Sequence, residues 1–331
     1  LILPPKMLLS ALLLSLLTSD AAGFSPYPAF SAHDIALRSS ALFASSDLSD
    51  ALGRREALAR AASLAGALAL GFPASSRAAD TPTFAVAGAT GQTGRRVLER
   101  IASLPGASVI GGVRDVKAAG KTLGESSTVV RGAMVQQVGA VDAASVDLRR
   151  LDVVAESVET MAKTLKGTDG LVIAVGFVPG NPLKMNSAAH AVDNVGTCKL
   201  VDAAKAAGVK KVVLVSSILT NGREWGQKDS PGFVITNAFG QVLDEKIVAE
   251  KYLRASGLDY TIVRPGGLKA KPPTGALKIS GEDTLNSGEI SRDLVADVCV
   301  AALTDPKVSN KVLEIIEDEG VPPKVFNGLS M

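Results

Sequence analysis

Three glycines at three-residue spacing, Gly88, Gly91 and Gly94, constrain this chain more than any other feature. They lie in the run Gly88-Ala89-Thr90-Gly91-Gln92-Thr93-Gly94. The apolar stretch Phe84–Ala87 precedes it, and Arg95–Ser103, with helical spacing of its apolar residues, follows. A backbone without Cβ turns tightly and lets a ligand approach closely. The helix start beyond it offers unpaired N–H groups and the positive end of the helix dipole, which suit a pyrophosphate. Gly94 lets that helix lie close on the strand. The same glycines elsewhere would read as an ordinary turn. Here the strand before and the helix after make Gly88, Thr90, Gly91, Gln92, Thr93 and Gly94 candidate contacts to a dinucleotide.

The rest of the chain alternates in the same way. Ser108–Val113, Leu171–Val175, Lys211–Ser216, Tyr260–Arg264 and Val312–Ile316 are apolar, β-branched runs that predict strands. Ala188–Ala207 and Gln241–Ser256 predict helices, closed by Gly208 and Gly257. Residues 115–150 hold two weaker strand candidates, Thr128–Arg131 and Met134–Val138. This alternation implies a parallel sheet covered on both faces. The expected fold is α/β: a doubly wound Rossmann sheet in one domain, residues 80–331, with a small C-terminal substrate region.

The strand at 108–113 ends in Arg114-Asp115, with Lys117 close behind. An acid at that position binds the 2′-hydroxyl of NAD, and a base accommodates the 2′-phosphate of NADP. Arg114 carries the planar donor fork that suits phosphate, and Lys117 adds a point charge. The expected cofactor is therefore NADP (NADPH) over NAD. A solvated Arg114–Asp115 pair is the plainer alternative.

Composition removes other classes. Lys+Arg 35 against Asp+Glu 33 leaves a formal charge of +2, without the basic excess of a nucleic-acid binder. Aromatics at 4% argue against a base-stacking surface. Cys198 and Cys299 are too few for a disulfide scaffold, and no cluster has metal-ligand spacing.

Residues 1–79 read as addresses. Met7 is the expected start. Leu8–Leu17 is too short to span a bilayer and fits the apolar core of a secretory signal over 7–23. Residues 24–50 are Ser- and Ala-rich, like a transit peptide. Arg54-Arg55, the apolar stretch 57–72 and Ser76-Arg77-Ala78 resemble a twin-arginine lumenal signal, although Gly53 stands where Ser is usual. The order resembles the bipartite presequence of algae with complex plastids. A thylakoid lumen and a stroma both remain open.

The runs FAVAGATGQTGRRV, GGVRD and LDVV, with segments 192–222, 249–268 and 288–303, carry a closer likeness. Over residues 83–317 the chain resembles an atypical, NmrA-like short-chain dehydrogenase/reductase. Together these segments resemble the plastid NAD(P)-binding proteins related to the redox-sensing component of the chloroplast inner-envelope translocon. The resemblance implies Asp152 near the adenine and Ala174, Val175 and Gly176 beneath the ribose and nicotinamide. It implies Arg264, Pro265, Gly266 and Gly267 at the far side of the cleft.

Hydride-transfer members of that superfamily use Ser, Tyr and Lys. Ser216 and Ser217 end a strand where the Ser belongs, and Lys246 is placed like the Lys, but Val242 stands four residues before Lys246, where the Tyr belongs. Valine exchanges no proton. Tyr252 lies six residues past Lys246, so a helix turns it elsewhere, and Tyr260 falls in a strand. His190 is a substitute acid or a solvated helix-start histidine. Trp225 and Phe233 cover a pocket or pack a loop. Lys269 and Lys271 form a small basic patch in a solvated loop. Two functions follow: an NADPH-dependent oxidoreductase acting on a small metabolite, quinone or pigment, or a non-catalytic NADPH sensor or assembly factor with a thylakoid or envelope partner. An epimerase ranks last, because it also needs the Tyr.

Overall fold

A strand buried on both faces needs apolar side chains at successive positions rather than alternate ones. The structure, a computed structural model, describes residues 81–329 apart from 125–126, 132–133, 139–140 and 142–144. The addresses read in 1–79 lie outside the described residues. Strand β1 (Thr83–Ala87) leads through the glycine loop into α1 (Gln92–Ala102), then β2 (Ser108–Val113) and α2 (Val116–Gly124). The antiparallel pair β3 (Ser127–Arg131) and β4 (Met134–Val138) follows, then β5 (Asp147–Arg150), α3 (Val158–Leu165) and β6 (Gly170–Ile173). Next come α4 (Met185–Ala189), a π-helical segment (His190–Gly196) and α5 (Thr197–Ala207). The second half holds β7 (Lys211–Val215), α6 (Pro231–Asn237), α7 (Val242–Ala255), β8 (Asp259–Pro265) and β9 (Gly267–Lys269). It ends with β10 (Ala276–Ser280), β11 (Glu289–Ser291), α8 (Arg292–Ala302) and β12 (Lys311–Asp318).

Eight strands form the main sheet in the order β10-β12-β8-β7-β6-β1-β2-β5, all parallel except β10. β9 and β11 make a separate parallel pair. Side chains alternate between two cores. Phe84 and Val86 of β1, with Val213 and Val215 of β7, face α1 and α8, where Leu98, Val295 and Val298 are buried. Ala85, Ala87, Val212 and Leu214 face the other way, onto Met161, Leu200, Val201 and Leu253. Each large apolar side chain sealed there contributes about 1.5–3 kcal/mol. One ion-paired seam adds register: Arg96 and Arg100 of α1 reach Asp293 (both 3.2 Å), and Arg100 reaches Asp297 (2.5 Å), on α8.

The expected strands hold to within a few residues, and Gly208 and Gly257, with φ of 76° and 81°, end α5 and α7 as left-handed caps. One expectation is corrected. The helix expected over 188–207 starts at Met185 and carries a π-helical segment in its first half. The two weaker strand candidates pair with each other, outside the main sheet.

Candidate active site and cofactor cleft

The strand order reverses between β1 and β6, which lie side by side in the middle of the sheet although distant in sequence. Ligands of open α/β sheets bind outside the carboxyl ends of the strands at such a switch point. Register aligns Ala87 with Ile173. The Ala174 N–H bonds the Ala87 carbonyl (3.0 Å), so the glycine loop and the Ala174–Gly176 turn emerge together.

The loop is held by its own backbone. The N–H groups of Gly88 and Ala89 donate to the Gly112 carbonyl, and that of Gly91 donates to Gly88. Gly88 has φ +83°, and a Cβ there would lie 2.8 Å from the Ala174 carbonyl oxygen. A Cβ on Gly94 would lie 2.2 Å from the Gly88 carbonyl oxygen. The N-cap of α1 is Gly91, with no side-chain cap, and the N–H groups of Gln92, Thr93 and Gly94 meet no acceptor among the described residues. Thr90 is exposed at the tip, and the buried Oε1 of Gln92 has no hydrogen-bond partner. A cradle that side chains would fill, lined by free donors, fits a pyrophosphate.

Arg114 follows β2 directly and is exposed; neither it nor Lys117 makes a hydrogen bond or ion pair among the described residues. No Arg114–Asp115 ion pair forms among the described residues; the Asp115 carboxylate accepts the Ala118 N–H (2.9 Å) at the start of α2. Asp152 lies just past β5, on the same edge of the sheet. Its Oδ1 accepts the N–H groups of Val154 (3.0 Å) and Ala155 (3.1 Å) and so shapes the turn.

Beyond Gly176 the cleft reaches Lys246 of α7, whose Nζ lies 2.8 Å from Asp193 Oδ1. The Asp193 side chain is fully buried, and its Oδ2 accepts the Phe177 N–H (3.0 Å). Asp193, Thr197, Ser216 and Lys246 line a small cavity walled by Val175 and Leu214. Ser217 is half-buried beside it, its hydroxyl bonding to none of the described residues. Ser216 instead donates to the buried carboxylate of Glu250 (2.5 Å), one turn beyond Lys246.

A family model for NAD(P)H-binding proteins matches residues 126–306. The chain belongs to this NAD(P)H-binding family. An uncharacterized chloroplastic protein of Arabidopsis thaliana is 43% identical over 249 residues, which cover 74% of this chain and 80% of that protein. Protein TIC 62 of the pea, Pisum sativum, also chloroplastic, is 30% identical over 262 residues, 76% of this chain but 46% of that protein. Sanguinarine reductase of Eschscholzia californica is 38% identical over 135 residues, 39% of this chain and 47% of that enzyme. Among solved structures, a short-chain dehydrogenase/reductase of Veillonella parvula in complex with NADP superposes with a TM-score of 0.51 at 14% identity, over 76% of this chain and 99% of that one.

Within this NAD(P)H-binding chain the other candidates divide. Tyr252 is directed away from the cleft, its hydroxyl donating to Asp202 (2.8 Å). His190 is exposed, with Nδ1 3.0 Å from Glu245. Phe233 is buried among Ile218, Leu219 and Leu243, with Trp225 packed against the same cluster, so both serve loop packing. Lys269 pairs with Glu317 (2.8 Å). Pro265 ends β8, buried in the sheet.

Arg264 is the clear correction. Its side chain does not line the cofactor cleft. It is fully buried among Glu250 (2.7 Å), Asp283 (2.8 Å), Glu282 (3.1 Å) and Glu314 (3.3 Å). Burial alone would lower its pKa; the hydrogen bond and charge of Glu250, with Glu282 and Asp283, outweigh burial and raise it.

Asp193 is the residue that motif reading missed. Its signal was present: it lies four residues after Ala189 and four before Thr197, on the face that also buries Leu200 and Ala204. A carboxylate on a buried face requires a partner.

Proposed function

We propose that this chain is an NADPH-dependent oxidoreductase acting in the plastid on a small metabolite, quinone or pigment. The observation that carries the cofactor choice is Arg114, exposed at the end of β2 without a protein partner among the described residues, while the neighbouring acid is engaged by its own helix. A free guanidinium there suits a 2′-phosphate; a free carboxylate would have suited a ribose hydroxyl. When bound, NADPH supplies a hydride. The glycine loop would hold its pyrophosphate, and Lys246 would donate hydrogen bonds at the inner end of the cleft, with Ser217 beside it.

The substrate reading draws on the apolar surface of this end. Val178 and Leu183 on the loop after β6, and Val234, Ile235 and Phe239 on and after α6, are exposed. Such side chains favour a flat, conjugated molecule over a sugar, in keeping with the name of the poppy relative. The names of two chloroplastic relatives support a plastid location. Residues 1–79 support delivery by a transit peptide, with the thylakoid lumen or the stroma as destination.

Val242 favours a second reading, a non-catalytic NADPH sensor or assembly factor that meets a thylakoid or envelope protein. One titration series decides the first step. The purified protein is titrated with NADPH and NADH, wild type beside Arg114→Ala. A charge-assisted hydrogen bond contributes about 1.5–3 kcal/mol, so NADPH should bind about 10–100-fold more weakly to the variant, with NADH unchanged. Equal affinity of wild type and variant for NADPH would remove the assignment. Binding without oxidation of NADPH by quinones or pigments would favour the sensor.

A further inference from the structure

We propose that Asp193 is a positioning residue: it fixes Lys246 at the floor of the cleft in place of the missing tyrosine. The inference rests on the NADPH-binding reading above.

A lysine ammonium is a point charge on a flexible four-carbon stem, and it turns to water unless something holds it. With Val242 one turn before it, no phenol is there to hold Lys246. The Lys246 side chain is nevertheless only 18% exposed, and its Nζ lies 2.8 Å from Asp193 Oδ1. The other carboxylate oxygen accepts the Phe177 N–H, so one buried group ties α7 to the loop that leaves β6. Gly176 lies directly over it: a Cβ there would meet Asp193 Oδ1 at 3.6 Å. Lys246 is thereby directed to the turn where β6 meets the glycine loop.

The clip is double. Next to Asp193, Asn194 donates to Glu245 (2.7 Å), and His190 Nδ1 faces the same oxygen (3.0 Å). Consecutive residues of the π-helical segment thus clamp consecutive residues of α7. π-helical turns are rare and concentrate at functional sites; this one carries Asp193. An ammonium has three donors. Asp193 Oδ1 meets it as an ion pair and accepts no hydrogen bond, which leaves the ammonium donors for a ribose or substrate oxygen.

The test uses the full protein and NADPH itself. Asp193→Asn, Lys246→Met and the double variant are compared by NADPH titration and thermal melting. Each single variant should weaken NADPH binding by about tenfold, and the double variant should bind no worse than either. Melting separates positioning from mere support. Lys246→Met leaves a buried carboxylate unpaired and should melt lower. The double variant should regain the melting temperature while NADPH affinity stays low. Wild-type affinity in Asp193→Asn, or fully additive losses in the double variant, would overturn the proposal. Failure of the wild type to bind NADPH would remove the underlying reading instead.

Discussion

Replacing Gly94 by alanine sets two effects of opposite sign against each other. Gly94 is the third residue of α1, and glycine inside a helix costs about 1 kcal/mol relative to alanine. Helix propensity alone therefore predicts a stabilised variant. The added Cβ would lie 2.2 Å from the Gly88 carbonyl oxygen and 2.9 Å from its carbon. Ordinary carbon contacts begin near ~3.5 Å, so the new atom is about 1 Å too close. Both obstacles are backbone atoms of a loop that the Gly112 carbonyl holds from the other side, so no flexible side chain can yield. Relief must come from moving the loop off the helix start. Overpacking of this kind costs about 1–3 kcal/mol, which exceeds the helix gain. The net loss, up to about 2 kcal/mol, should lower Tm by several degrees. Binding should suffer more. A cradle displaced by about 1 Å no longer aims the N–H groups of Gln92, Thr93 and Gly94 at one pyrophosphate, and misplacement on that scale costs about 100-fold. The assay is NADPH titration beside a thermal melt of the same samples. A variant that melts higher and binds as wild type does would refute the reasoning, because propensity would have won and the close approach would not matter.

Two further perturbations probe the scaffold behind the site. Arg264→Met leaves Glu250 and Glu314, both without solvent exposure, short of the cation they share, and should cost about 3–5 kcal/mol in urea unfolding. A loss under about 1 kcal/mol would mean that the carboxylates protonate or rearrange at little cost. Glu317 offers a pH dependence. Burial alone would raise its pKa, but the Lys269 ammonium, Thr274 and the Ser291 N–H outweigh burial and hold it at about 2. The folded value lies below the unfolded one of about 4.3, so its contribution is complete above that pH and is lost as pH falls toward 2. A fully sealed site would make this about 3 kcal/mol; solvent screening brings it to about 1–2 kcal/mol. The stability gap between wild type and Glu317→Gln should close between pH 5 and about 2; a gap that stays constant over that range contradicts the assignment.

What was legible in the sequence was what local physics dictates. Phe84–Ala87 and Val212–Val215 are apolar at every position because both faces of the sheet are covered, and a run of that kind reads as a buried strand without further information. The glycine loop was legible because its chemistry lies within seven consecutive residues. β5 was not, because its sequence Asp-Leu-Arg-Arg reads as surface; as the edge strand it carries the polar side chains that an interior strand excludes. Arg264 was misread for a related reason. A strand-end arginine beside glycines suggests a cleft, whereas Glu250, Asp283 and Glu314 that surround it come from three distant parts of the chain, and no local pattern joins them. The catalytic end divides the same way. Lys246 and Val242 are read directly from spacing on one helix, but what holds Lys246 is a carboxylate 53 positions away, in a helical turn of unusual pitch. A motif records which groups touch the ligand; the groups that aim them are fixed by packing. In this chain the absent tyrosine is therefore only half of the chemical statement, and the buried aspartate that keeps the lysine in the cleft is the other half.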